Sequence, residues 1–446
     1  MVHSYPQHLA KVLIEKWHAD DGKLLLSGAS GDVPHDQLPD VGVIEEIIST
    51  CYQASMLREE ERPLRFRLML REPEKLPPEE GPPDGLHRLI FRESRPFNEY
   101  ELRKLVPATE FYRSLIGVRV GAEGTLQTWG LMHSGPRWIQ TVRGGSLEFS
   151  PLPQSLVLYV TGPGQIAVCK GSIMLAMLNG GKIITPSWSV FNARWLRERH
   201  ADTHQELWAL HHAARSHAKS PWALLERNFP NIIAQQVFKR IMSIVRNSHH
   251  GGTLISLAPH RASEVISENR YLTIKYPFRE EEPRNRFRTL LVKLMDALAE
   301  SYGDVNQADR IVGWKEYVMS KNEMLSLLDE AVFEYAHFVA GLTAVDGAVV
   351  MSQRHELLGF GGMILGSLDK VRLVAQALDS EGESTEMEPV DGVGMRHRAV
   401  YHLCNELHDA LAIVISQDGN VRLVNWKNGT VTCWDVVPLT LTQFPQ

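Results

Sequence analysis

The sequence predicts an α/β protein: a mixed central sheet flanked by helices in the C-terminal half, preceded by an α+β region. Three observations point there. After Pro221, helical periods alternate with short β-branched runs; between about 86 and 195, strand-like runs are cut by Gly and Pro turns; ahead of both lie two amphipathic helical patterns. At 446 residues the chain exceeds one ordinary core, so two or three domains are expected.

In chain order, helices are predicted around Leu9 to Trp17 and Val43 to Cys51. The Pro- and Glu-rich stretch Glu72 to Pro83 reads as a linker that closes a helical segment at residues 1–85. Strands follow at Ser114 to Val120, Thr125 to His133, Trp138 to Val142, Ser155 to Thr161 and Gln165 to Lys170, giving a compact sheet-containing domain over 86–220. Its glycines, such as Gly144-Gly145 and Gly180-Gly181, read as turns, because none has the P-loop form. His200, His204, His211, His212 and His217 then crowd one helix. His200 and His204 have a zinc-compatible spacing, but the Glu beside the first His and a third ligand are missing, so a solvated helix face is expected.

From about 225 to the end, one α/β domain is predicted. Helix Ile232 to Val245 leads to strands at Thr253 to Leu257 and Tyr271 to Tyr276; a charged interruption, Arg279 to Arg288, precedes helices at Leu290 to Leu298 and Met324 to Phe338. Strands at Ala348 to Met351 and Leu357 to Leu365, a helix from about Arg396, and strands at Leu411 to Ser416, Val421 to Trp426 and Val431 to Val436 complete it. Asp379 to Asp391, almost free of apolar residues, reads as an exposed loop.

Composition bounds the function. A formal net charge of -6 argues against a generic nucleic-acid binder and confines any polyphosphate site to a local basic patch. Cys51, Cys169, Cys404 and Cys433 form no CxxC pair, which fits core residues in a reducing cytosol. With no secretory signal pattern and no bilayer-length apolar run, the expectation is a cytoplasmic protein without a membrane partner.

Two motifs carry chemistry. Val400, Leu403, Cys404 and Leu407 mark the buried stripe of a helix whose first turn holds Arg396, His397 and Arg398. That end already carries partial positive charge, so each cation costs a few tenths to about 1 kcal/mol unless an anion sits nearby. A phosphate removes the conflict, and Gly394 lets it approach. The alternative is a solvated basic turn paired with the acidic loop upstream. Asp346-Gly347-Ala348 reads alone as a turn into a buried strand; Asp346 at its mouth is also placed to hold a divalent metal, since Mg²⁺ binds through one or two carboxylates plus substrate phosphates.

In this order and context the region 225–440 resembles the diadenylate cyclase domain. The likeness rests on His250-Gly251-Gly252-Thr253-Leu254-Ile255, the DGA triplet at Asp346 to Ala348, the RHR triplet at Arg396 to Arg398, and Ile413-Val414-Ile415-Ser416-Gln417. The region 86–200, with its run Trp129 to Trp138, resembles a sensor domain of the DACNV-like type found upstream of such cyclases.

The resemblance implies that two such domains face each other, each holding one ATP, and that each 3′-hydroxyl attacks the other α-phosphate, giving cyclic di-AMP and two pyrophosphates. Asp346 would bind Mg²⁺ or Mn²⁺; Arg396 and Arg398 would hold phosphates, and His397 would contact the phosphate chain. Ser416 would add a phosphate hydrogen bond, with Gly347, Ala348, Leu358, Gly394 and Met395 near the nucleotide. No helix-hairpin-helix DNA module is recognisable, so no nucleic acid is expected. Where the family has Thr before RHR, this chain has Met395, which removes a hydroxyl contact worth about 0.5 to 1.5 kcal/mol. Two readings follow: an active cyclase regulated by its N-terminal region, or a nucleotide-binding sensor without turnover.

Overall fold

The computed structural model describes residues 3–19, 36–76, 87–133, 153–185 and 189–436, apart from 112, 123, 172, 249, 268–270, 280, 305–308, 368–369 and 418. It is an α/β protein with two compact units, the described residues up to 185 in one and those from 189 in the other.

The first unit is built on an eight-stranded sheet. Its strands are β1 (Phe66–Leu70), β2 (His87–Pro96), β3 (Ser114–Val120), β4 (Leu126–His133), β5 (Leu156–Gly162), β6 (Gln165–Lys170), β7 (Ile173–Asn179) and β8 (Lys182–Ile184). They lie in the order β8-β7-β6-β5-β1-β3-β4-β2. Helices α1 (Pro6–Ala19) and α2 (Val41–Ser55) pack on one face. Leu9, Leu13 and Trp17 recur at helical spacing and Phe66, Leu68 and Leu70 at strand spacing, and all six join one core. Trp129 is buried in β4, and its indole donates to the Arg71 carbonyl at 2.8 Å. Residue 117 must be glycine, because a Cβ there would lie 2.2 Å from that indole.

This architecture changes the expected organisation. Glu72 to Pro83 joins two strands of one sheet, β1 and β2, and so does not separate domains. The N-terminal helices are part of the first unit's core, because their apolar stripes pack with the sheet residues Phe66, Leu68 and Leu158 in one cluster. The helices of 194–216 belong to the second unit, where Leu196 and Leu207 are core residues. The expected strand Trp138 to Val142 lies outside the described residues.

The second unit has three layers. Its sheet runs β10-β12-β11-β9-β15-β16-β17-β13-β14, where β9 is Gly252–Leu257, β10 Leu272–Pro277, β11 Ala348–Ser352, β12 Leu357–Ile364, β13 Leu373–Ala377, β14 Thr385–Pro389, β15 Leu411–Ile415, β16 Val421–Lys427 and β17 Thr430–Val436. Only β9/β11 and β13/β17 pair parallel, so the sheet is mixed, as expected. The helices are α4 (Arg194–Arg199), α5 (Ala201–Ser216), α6 (Phe229–Asn247), α7 (Pro259–Ser267), α8 (Glu281–Ser301), α9 (Trp314–Met319), α10 (Glu323–Leu342) and α11 (Met395–Glu406), numbered after α3 (Glu99–Leu105) of the first unit.

Strand alternation decides the layering. Val349 and Met351 face the core under α6, α8 and α10, whereas Ala348 and Val350 face the core under α7 and α11. Both faces are therefore covered, which is why these strands read as continuous apolar runs.

The acidic stretch Asp379 to Asp391 is a hairpin end, not a free loop. Thr385–Pro389 forms the edge strand β14 against β13. The turn before it is fastened: the Asp379 carboxylate accepts from the Glu383 and Ser384 amides at 3.1 and 2.6 Å, and Glu381 accepts from the Arg194 amide at 2.7 Å. The charged interruption Arg279 to Arg288 is also mostly helical, since α8 begins at Glu281.

Candidate functional site

Two helix ends meet at one edge of the second sheet. α10 starts on the Asn322 side chain, which accepts from the Leu325 amide at 3.1 Å, and unwinds through Val345, whose amide donates to the Leu342 carbonyl at 3.3 Å. No basic residue stands in its last turn. The loop then exposes Asp346 and turns at Gly347, where φ is +111°. A Cβ at 347 would lie 2.7 Å from the Gly361 backbone, so glycine is required by both conformation and space.

α11 supplies the other end. Val400, Leu403, Cys404 and Leu407 are buried on the sheet face and fix the helix direction. Its first turn carries Met395, Arg396, His397 and Arg398 with no acidic residue, and Gly394 at the N-cap offers no side chain.

Arg396 ties this turn to the sheet edge. Its Nη1 donates to the His250 carbonyl at 2.9 Å. Gly251 adopts φ +65°, and a Cβ there would lie 2.4 Å from that nitrogen and 2.7 Å from the Ile415 carbonyl oxygen. β9 pairs parallel with β11 from Leu254 and Val349 onward, so the two strands begin at the same end of the sheet. Gly252 pairs with Ile415. Asp346, His250 with its Arg396, and Ser416 thus flank three neighbouring strand ends, with strands about 4.8 Å apart.

The electrostatics are of opposite sign. The C-terminus of α10 adds partial negative charge to Asp346, and the N-terminus of α11 adds partial positive charge to three basic side chains. Such an edge suits a cation beside a polyanion. Among the described residues no three His, Cys, Asp or Glu groups gather as metal ligands. A divalent cation at Asp346 therefore fits only where a bound phosphate supplies further oxygens, which is the usual habit of Mg²⁺.

The other expected site residues differ in role. Ala348 and Leu358 are both buried, but only Ala348 opens β11 beside Asp346; Leu358 lies on β12 level with Val350 and Met351, away from that strand end. Met395 is 65% exposed beside the open Gly394. His397 is half-buried, its ring 6.2 Å from that of Tyr401 one turn on, and Arg398 is half-buried too. The Ser416 hydroxyl closes the β15–β16 turn, donating to the Asn420 carbonyl and accepting from its amide, each at 3.1 Å. A phosphate bond from Ser416 must displace the first of these.

The histidine helix is not a uniformly solvated face. His211 is buried against Asp296 at 2.7 Å, and His200 Nδ1 bonds to the Leu196 carbonyl at 3.0 Å; His212 and His217 are exposed. Sequence reading also missed the backbone partner of Arg396. Its signal was present in Gly251-Gly252, two glycines where a helix hands over to a buried strand.

Residues 33–133 match the family described as probable sensor domain DACNV. The matched stretch, similar to a sensor-type domain, lies within the first unit. The match begins well before the expected start near 86 and takes in α2 and β1. It ends at His133, so it does not reach the second unit. No curated protein and no solved structure matches the chain. Among the described residues no helix is long and apolar enough to cross a membrane.

Proposed function

We propose that the second unit is a diadenylate cyclase domain that joins two ATP into cyclic di-AMP with release of two pyrophosphates, under control of the sensor domain. The observation that carries this reading is that, at one end of the sheet, a helix C-terminus with no basic residue in its last turn leads into Asp346, and a helix N-terminus with no acidic residue in its first turn carries Arg396, His397 and Arg398. A triphosphate with its cation answers both ends.

Arg396, Arg398 and the N-terminal turn of α11 hold the phosphates, and His397 contacts the phosphate chain. Asp346 would hold Mg²⁺ or Mn²⁺ beside the phosphates, and the ion would supply neutralisation of phosphate charge and a more acidic 3′-hydroxyl. The product needs two phosphodiester bonds between two nucleotides, so two copies of the unit meet face to face and each aligns its ATP with the other. The chain's contribution is positioning and charge stabilisation.

Purified protein incubated with ATP and Mn²⁺ tests this by mass spectrometry. Cyclic di-AMP from the wild type and none from Asp346→Asn supports the reading. A second reading, a nucleotide sensor without turnover, is favoured by Met395 in place of a hydroxyl and by the Ser416 hydroxyl being engaged within its own turn. Saturable ATP binding without pyrophosphate release selects it.

A further inference from the structure

Two indoles hold the turn between β13 and β14. Trp195 of α4 and Trp434 of β17 stack with ring centroids 4.8 Å apart and 30° between planes. Their N–H groups donate to successive carbonyls of the turn, Trp195 to Ser380 and Trp434 to Asp379, each at 3.1 Å. The Arg194 amide adds its bond to Glu381 at 2.7 Å, and the Lys427 ammonium lies 5.6 Å over the Trp195 ring. Gly382 rests against Trp434 at φ +67°, where a Cβ would come within 2.8 Å of the indole. The turn is thus clasped from two elements.

A continuous set of contacts runs from this clasp to the basic turn of α11. β14 leaves the turn at Thr385 and pairs with β13 as the last strand of the sheet. Its Glu388 carboxylate accepts from Arg422 at 3.3 Å. The same guanidinium donates to the Tyr401 hydroxyl of α11 at 3.1 Å and to Asp435 at 2.9 Å. Val390, just past β14, is buried in one cluster with Val400 and Tyr401. Gly394, the N-cap of α11, follows four residues later. Packed side chains and hydrogen bonds of this kind are what carries coupling between distant groups.

The other side of the clasp is short of support of its own. α4 spans six residues, far fewer than an isolated helix needs, so its contacts fix its place. Among the described residues it is the first α-helix of the second unit, and the chain coming from the first unit runs into it.

We propose that Trp195 is a positioning residue. Through the clasp it sets β14, and through Glu388, Arg422 and Tyr401 it sets the first turn of α11, so a displacement of α4 is felt at Arg396 to Arg398. That the displaced turn serves a nucleotide rests on the function proposed above; the link itself does not.

Hydrogen exchange of the full-length protein without nucleotide, read by mass spectrometry, tests the link. The amides of Arg398 to Tyr401 report the first turn, because their helical acceptors are the carbonyls of Gly394 to His397. Trp195→Ala should speed their exchange about tenfold, and Trp195→Phe, which keeps the ring stack, should restore most of the protection. The amides of α10 should exchange as in the wild type, which shows that the unit is folded. Where Trp195→Ala loosens α10 as well, the milder Glu381→Ala decides on the same amides. Wild-type exchange at Arg398 to Tyr401 in the folded variant, or faster exchange confined to 379–384, overturns the proposal. Affinity for a non-hydrolysable ATP analogue should fall together with the protection. Unchanged affinity beside faster exchange overturns the positioning role, whereas no binding to the wild type overturns the nucleotide reading alone.

Discussion

Arg396 Nη1 sits 2.9 Å from the His250 carbonyl oxygen, across a glycine that has neither the room nor the backbone angle for a side chain. The first turn of α11 is thereby tied to the start of β9. Every phosphate role assigned to Arg396 depends on that tie, because a long cationic side chain otherwise samples many rotamers.

Gly251→Ala should break the tie. A Cβ at φ +65° is strained and collides with both Arg396 and the Ile415 carbonyl oxygen. The expected loss of stability is about 1 kcal/mol or more, from the left-handed conformation alone. Nucleotide affinity should fall with it, measured by calorimetry with a non-hydrolysable ATP analogue. Unchanged affinity in a folded variant would separate Arg396 from the phosphates.

Asp346→Asn should leave the fold almost untouched. The side chain is exposed, and surface changes of this kind stay within about 0.5 kcal/mol. Product formation should nevertheless vanish, and Mn²⁺-dependent ATP affinity should drop while the metal-independent part persists. Chemical denaturation run beside the mass-spectrometric assay distinguishes this from unfolding.

Met395→Thr should strengthen nucleotide binding. Residue 395 is 65% exposed at the open end of α11, so a hydroxyl there reaches a phosphate without repacking. One neutral hydrogen bond of about 0.5 to 1.5 kcal/mol corresponds to roughly a two- to tenfold tighter dissociation constant. A calorimetric titration reads it, and equal affinity would show that the phosphates do not lie over residue 395.

Much of the second unit was legible because its strands are buried on both faces and its helices carry clean stripes. The stripe from Val400 to Leu407 placed the basic turn on a helix N-terminus, and the buried run after Asp346 placed the acid at a strand mouth. What escaped was either long-range or disguised. The Arg396 to His250 contact spans 146 positions, and no local pattern encodes it. β14 reads Thr-Glu-Met-Glu-Pro, a charged edge strand of the kind that resists further pairing, so its composition imitates a loop. β1 was hidden because Arg67, its second residue, is buried, its guanidinium over the Tyr159 and Phe111 rings at 5.4 and 5.8 Å. A cation inside a five-residue strand breaks the apolar run that sequence reading relies on.

Acid should destabilise the second unit through His355. Burial is the main cause of its lowered pKa, about 3 against an ordinary 6.5, with His200 and the Arg288 charge acting in the same direction. Between those two values the unfolded chain binds a proton that the folded chain refuses, so stability rises with pH across this window. The contribution is complete above about 6.5 and is lost progressively as the pH falls toward 3. His200 is shifted the same way and adds to the slope. Denaturant unfolding at pH 7 and pH 4.5 should therefore show a clear loss for the wild type and a smaller one for His355→Asn. Equal losses in the two proteins would mean that His355 accepts a proton without unfolding, and that its surroundings are wetter than its burial implies.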